Sequence, residues 1–66
     1  MNRCVKIARI QKNISQKELC KSIGIGVNSL VKLEKGDFST LKYPVMIRLA
    51  NALDKTPVEL FFSEEE

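Results

Sequence analysis

A chain of 66 residues, 44% of them hydrophobic, can build one domain around one modest core, so a single domain is expected. Two cysteines and no histidine fall short of the ligand set of a structural zinc site, and no apolar run approaches the ~18 residues of a membrane span, so neither a metal nor a membrane is expected. Eleven basic residues stand against eight acids, three of which are the terminal run Glu64, Glu65 and Glu66; without that run the net charge is about +6, which favours an anionic partner. No charged-then-apolar-then-small leader follows Met1, so a cytoplasmic protein is expected, with Cys4 and Cys20 as small buried side chains.

Residues 3–12 predict a first helix, with Val5 and Ala8 on its core stripe and Asn13 suited to a left-handed C-terminal cap. Ser15, Gln16, Lys17 and Glu18 form a capping box: the Ser15 hydroxyl can accept from the Glu18 N–H while the Glu18 carboxylate reaches back to the Ser15 N–H. The second helix therefore starts at Gln16, runs through Leu19, Cys20 and Ile23, and stops at Gly24, which takes positive φ without strain. Only Gly24, Ile25 and Gly26 separate it from a third helix over residues 27–35, ended by Gly36, so the two must meet at a steep angle. Val27, Leu30 and Leu33 fall on one stripe of the third helix and leave Asn28, Ser29 and Lys32 pointing outward. A polar loop over residues 37–42 leads to a fourth helix, with Pro44 at its first position and Val45, Ile47, Leu49, Ala50 and Leu53 along it. Thr56 as N-cap, Pro57 at the first helical position and Glu59 at the third start a short fifth helix that reaches Phe62. No alternation of the strand kind occurs. The expected fold class is all-α, with residues 1–62 as the domain and 63–66 as an acidic tail.

A helix, a tight glycine turn and a second helix within about twenty residues is the geometry that lets the second helix project into a DNA major groove. The pattern asks for apolar residues at Leu19, Ile23, Ile25, Leu30 and Leu33, a small residue where the two helices touch, and a glycine at the turn. Cys20 and Gly24 supply the last two; a side chain as long as leucine at position 20 would push the helices apart. Enzyme chemistry finds no support, because there is no histidine, the hydroxyls lie in caps and loops, and no G-x-x-x-x-G-K-[ST] loop occurs. Neither a cofactor nor a small-molecule ligand is expected.

The stretches VKIARIQKNISQKELCKSIGIG, NSLVKLEKG and IRLANALDKTPVELFF resemble the Cro and phage-repressor class of helix-turn-helix domains, the XRE type. The most specific pieces are SQKEL, the interval from Gly24 to Gly36 with Glu34 two residues before its end, and LANALDKTPVELF. The resemblance implies a five-helix, lambda-repressor-like domain and a two-fold homodimer. It also implies sequence-specific binding to palindromic double-stranded operator DNA with the helix at 27–35 in the major groove. A prokaryotic or phage transcriptional repressor, held at the nucleoid through its DNA, is the expected protein. The same fold also serves antitoxins, restriction controllers and protein-interaction modules, and these stand as alternatives.

Matched position by position, the resemblance gives the base contacts to Gln16, Gly26, Val27, Asn28, Ser29 and Lys32. The chemistry is apt: an Asn28 amide can pair with adenine N6 and N7, Lys32 can donate to guanine O6 or N7, and Val27 can pack on a thymine methyl. Phosphate contacts fall to Ser15 and Gln16, where the start of the second helix favours an anion, and to Ser39, Thr40 and Lys42 in the loop after the third. Arg3, Lys6, Lys12, Lys17 and Lys21 read as a diffuse positive field. Arg9 and Glu34 match a family pair, implied to be a partly buried bidentate ion pair that fixes helix orientation. Pro57, Val58, Phe61 and Phe62 are the expected dimer interface, which would set two reading helices about 34 Å apart, with the acidic tail held away from DNA. Two positions depart from the family: Gly26, where Ser or Thr usually caps the third helix, and Lys55, where an aliphatic residue is common.

Overall fold

The computed structural model describes residues 2–63; Met1 and the acidic residues Glu64, Glu65 and Glu66 of the expected tail lie outside the described residues. Among the described residues five helices follow in chain order and no strand forms: α1 (Cys4–Gln11), α2 (Gln16–Ile23), α3 (Val27–Glu34), α4 (Tyr43–Ala52) and α5 (Pro57–Phe61). Several ends differ from the sequence expectation by one residue. Arg3 flanks α1 as its N-cap, while Lys12, Lys35 and Phe62 are C-caps, outside the helices they were expected to end. α4 starts before Pro44: Lys42 is the N-cap and Tyr43 the first helical residue, so the proline takes the second position, where a missing N–H still costs nothing.

Short-range chemistry explains where α2 and α5 begin. Ser15 Oγ accepts from Glu18 N at 3.0 Å while Ser15 N donates to Glu18 Oε1 at 3.2 Å. Thr56 and Glu59 repeat the exchange at 3.1 and 3.0 Å, and the bond from the Thr56 N–H holds the Glu59 carboxyl below its ordinary range. Asn13, at φ 57°, turns the chain after α1 in the expected left-handed conformation. Asp54, at φ 55°, does the same after α4 and was not anticipated. Its carboxylate accepts from Lys12 Nζ at 2.6 Å, a contact that joins the end of α1 to the end of α4.

The core is one cluster in which Val5, Leu19, Leu30, Leu49, Leu53 and Leu60 are fully enclosed, so each of the five helices supplies at least one buried anchor. Val45 and Ile47 are only half-buried, as is Cys4, whereas Cys20 is buried. Phe38, from the loop after α3, meets Phe61 of α5 edge-on, with ring centroids 5.2 Å apart and planes at 88°. Lys55 is half-buried along a groove between α1 and α5. Among the described residues no helix is long and apolar enough to cross a membrane, and no group of three or more Cys, Asp or Glu could hold a metal ion.

Asn2 closes the structure at its ends. Its Nδ2 donates to the Leu60 carbonyl at 3.1 Å and to the Ser63 carbonyl at 3.2 Å, while its Oδ1 accepts from Cys4 N at 2.9 Å. Ser63, expected in the tail, is thereby bonded to the domain, and its hydroxyl also donates to the Val58 carbonyl. Gly36 lets the turn after α3 approach this clamp: at φ 88°, a Cβ there would stand 3.0 Å from both Asn2 N and Asn2 O.

Gly24 and Gly36 both hold left-handed backbone, but a Cβ at Gly24 would meet only the tip of Arg48, 4.0 Å away. Gly24→Ala should therefore cost about 1–2 kcal/mol from backbone strain alone. Gly36→Ala carries the same strain plus a collision with backbone atoms and should cost more. Equilibrium urea unfolding of the two variants checks the order; equal losses would remove the Asn2 contact as a constraint on Gly36.

Candidate nucleic-acid interface

The α2–turn–α3 unit is held from inside by a charged group. Glu34, the last residue of α3, is only 5% exposed. Its Oε2 accepts from Arg9 Nε of α1 at 2.6 Å and its Oε1 accepts from Gln16 Nε2, at the first position of α2, at 2.8 Å. Arg9 Nη1 donates to the Ile14 carbonyl, between α1 and α2, at 2.8 Å. The pair is thus formed but not as the expected bidentate fork: the guanidinium divides its donors between Glu34 and a backbone oxygen, and Gln16 takes the second carboxylate oxygen. Burial pushes the nearby Cys20 thiol up from its ordinary pKa, and the Glu34 charge adds to the effect, so the thiol stays protonated and packs as a small apolar group.

Against this frame α3 turns one stripe inward and another out. Leu30 and Leu33 are buried, whereas Asn28, Ser29 and Lys32 are exposed and Val27 is 44% exposed. Gly26 takes an extended N-cap conformation with no side chain to cap α3, and a Cβ there would meet nothing within 4 Å. A hydroxyl residue would fit; its absence costs a few tenths of a kcal/mol and removes one polar group from the outward face.

The expected phosphate donors divide into two groups. At the start of α2 the Ser15 N–H is spent on Glu18, so the backbone donors left by helix geometry are those of Gln16 and Lys17, with the Ser15 hydroxyl beside them. Gln16 keeps one amide hydrogen and its side-chain oxygen beyond the bond to Glu34. In the loop, Ser39 directs both its N–H (3.1 Å) and its hydroxyl (2.6 Å) at Asp37 Oδ1, so a phosphate there would compete with that carboxylate for both donors. The Ser39 hydroxyl, then its N–H, and the Lys32 charge hold the Asp37 carboxyl below its ordinary range, so an anion stands at that spot. Thr40 and Lys42 instead share with Ser29 a shallow cleft of about 180 Å³ between α3 and the start of α4. Arg48, which the sequence reading passed over, lies with its guanidinium beside the Gly24 turn. Nothing local links positions 24 and 48, so only the packing of α2 on α4 reveals it.

On α5, Val58 is 63% and Phe62 is 67% exposed, and Pro57 is half-buried. Phe61 is not available to a partner: it is 6% exposed and stacked edge-on against Phe38. It packs in the core beside its neighbour Leu60, which is 1% exposed, so the apolar surface left at this end of the chain is that of Val58 and Phe62.

A family model described as helix-turn-helix matches residues 5–60, from Val5 in α1 to Leu60 in α5. No curated protein and no solved structure matches the chain significantly.

Arg9→Ala would leave the Glu34 carboxylate buried without its counter-charge, at an expected cost of about 3–5 kcal/mol. Replacing both partners with apolar residues of similar volume, Arg9→Met with Glu34→Leu, should recover most of that loss while leaving Gln16 without its acceptor. Thermal unfolding of the single and double variants tests this; a double variant as unstable as Arg9→Ala would mean that the charges matter through something other than their mutual burial.

Proposed function

Because the chain belongs to the Cro/C1-type helix-turn-helix (XRE) family of DNA-binding transcription regulators, we propose that it is a repressor that binds palindromic operator DNA as a homodimer. The observation that carries the reading is the outward face of α3. Asn28, Ser29 and Lys32 are exposed on a helix whose other stripe is locked into the core, directly after a glycine turn. Such a helix can enter a major groove with its first turns against base edges while α2 crosses the backbone. On this reading the Asn28 amide pairs with adenine, Lys32 donates to guanine and Val27 packs on a thymine methyl. Gln16 and Lys17 offer backbone N–H groups to a phosphate on one side, and Thr40 and Lys42 serve the strand on the other. Val58 and Phe62 supply the apolar patch for a two-fold contact on α5, which presents two reading heads to successive grooves. A domain of this size acts most simply by occluding a promoter.

Selection of bound duplexes from a random pool should enrich an inverted repeat whose half-site centres are one helical turn apart. Asn28→Ala should lose about 1–3 kcal/mol of affinity, concentrated at one symmetric base position. A pool with no enriched repeat, or a mutant that weakens every sequence equally, would sink base reading by α3.

Phe62→Glu should fold normally, since its parent side chain is exposed, yet shift the protein toward monomer and weaken operator binding at least tenfold. Sedimentation and operator titration check it together; an unchanged oligomeric state would move the dimer contact off α5.

A further inference from the structure

α1 and α5 pack on one another, and along their seam runs a groove of about 300 Å³. Ala8 of α1 and Leu60 of α5, both buried, form its floor. On the α1 wall stand Ile7, which is exposed, and one turn before it the half-buried thiol of Cys4. The charged residues of the lining are Lys55 and Glu59, one cation and one anion, so no net charge draws an ion or a phosphate into it. No residue of α2 or α3 lines the groove, and whatever fills it leaves the outward face of α3 free.

An apolar side chain that could fill the groove is exposed on this same chain. Val58 and Phe62 directly precede Glu59 and Ser63, which line the groove, so the apolar patch and the groove share α5. A buried aromatic side chain removes about 150–250 Å² from water, whereas a stable two-chain contact removes about 800 Å² from each partner. Val58 and Phe62 pressed only against their own copies fall well short of that area. A two-fold contact is reciprocal, so each copy can offer one ring and one groove, and the surface of Ile7 and of the groove walls is then added to the contact.

We propose that the groove between α1 and α5 receives Phe62 of a second copy of this chain, with the ring against Ile7 and Cys4. It rests on the reading of the chain as a homodimer through α5, and it makes α1 the second half of the dimer contact.

The test pairs sedimentation with thiol footprinting of the full chain. Ile7→Glu should raise the dimer dissociation constant roughly tenfold or more. Ile10→Glu, on the same helix and equally exposed to solvent contact, should leave it unchanged, because Ile10 lines a different groove with Arg9 and Asn13. In the wild type, alkylation of Cys4 by iodoacetamide should slow as protein concentration rises through the dimer midpoint, and in Phe62→Glu it should not. Mass analysis of the peptides separates Cys4 from the buried Cys20. An Ile7→Glu chain as dimeric as Ile10→Glu, or a Cys4 rate that ignores concentration in the wild type, would overturn the seating of Phe62 in the groove. If Phe62→Glu still dissociates the dimer in that case, the contact through α5 stands without α1. A wild type that stays monomeric at every concentration would overturn both.

Discussion

A carboxylate buried inside the protein sets the geometry of everything around it. Removing an ion such as Glu34 from water costs several kcal/mol unless its oxygens are met by donors. Here the donors come from different helices: Arg9 from α1 and Gln16 from α2, with Glu34 itself at the end of α3. None of the three can move independently without exposing or orphaning the charge. The arrangement also reaches the surface, because Gln16 is both the inner partner of Glu34 and the first residue of the helix that would cross DNA. The orientation of its side-chain amide is thus set by a buried ion. That single group couples the stability of the domain to the shape of its binding face.

A chain of 66 residues without a disulfide has few other means of holding five helices in one arrangement. Asn2 provides a second closure, since one side chain joins the start of α1 to the carbonyls of Leu60 and Ser63. The Gly36 turn packs onto the same clamp, and Phe38 follows it to stack on Phe61. The end of α3 is therefore fixed twice, by an ion on one side and by the chain termini on the other. Its first turns carry no such ties beyond Leu30, which leaves the outward residues free to meet a partner while the axis beneath them stays put.

What could be read from the sequence is what neighbours three or four residues apart decide between themselves. The two capping boxes, the left-handed Asn13 and Gly24, and the burial of Leu30 and Leu33 on α3 are of this kind, although Val27 of the same stripe is exposed. The exposed face with Asn28, Ser29 and Lys32 was legible as the complement of that stripe. The long-range contacts left no local trace: Asn2 meets residues 58 and 61 positions away, and Lys12 meets Asp54 at a separation of 42. The choice between Phe61 and Phe62 illustrates the limit. Phe61 matches a core position of the pattern and is buried beside Leu60, whereas its stacking partner Phe38 lies in a loop with no periodicity to read. The donors of Ser39 show a related effect, because Asp37 two residues earlier holds them in a turn that competes with any outside ligand.

On the proposed reading, these details decide how recognition is divided. Gly26 brings no hydroxyl to the start of α3, and that of Ser39 is held by Asp37, so fewer polar groups are free than the pattern of the fold would allow. Discrimination between bases then rests on a small set: the amide of Asn28, the ammonium of Lys32 and the bulk of Val27. Affinity must come from phosphate neutralisation, which a positive surface supplies without regard to sequence. Such a binder gains specificity mainly by using two copies of a modest reading head at a fixed spacing, because a wrong site then fails twice and the rigid frame forbids either head from adjusting. The exposed Val58 and Phe62 would be as important to specificity as the helix that touches the bases, and the buried Glu34 would matter because it fixes how far each reading head can tilt away from the spacing they share.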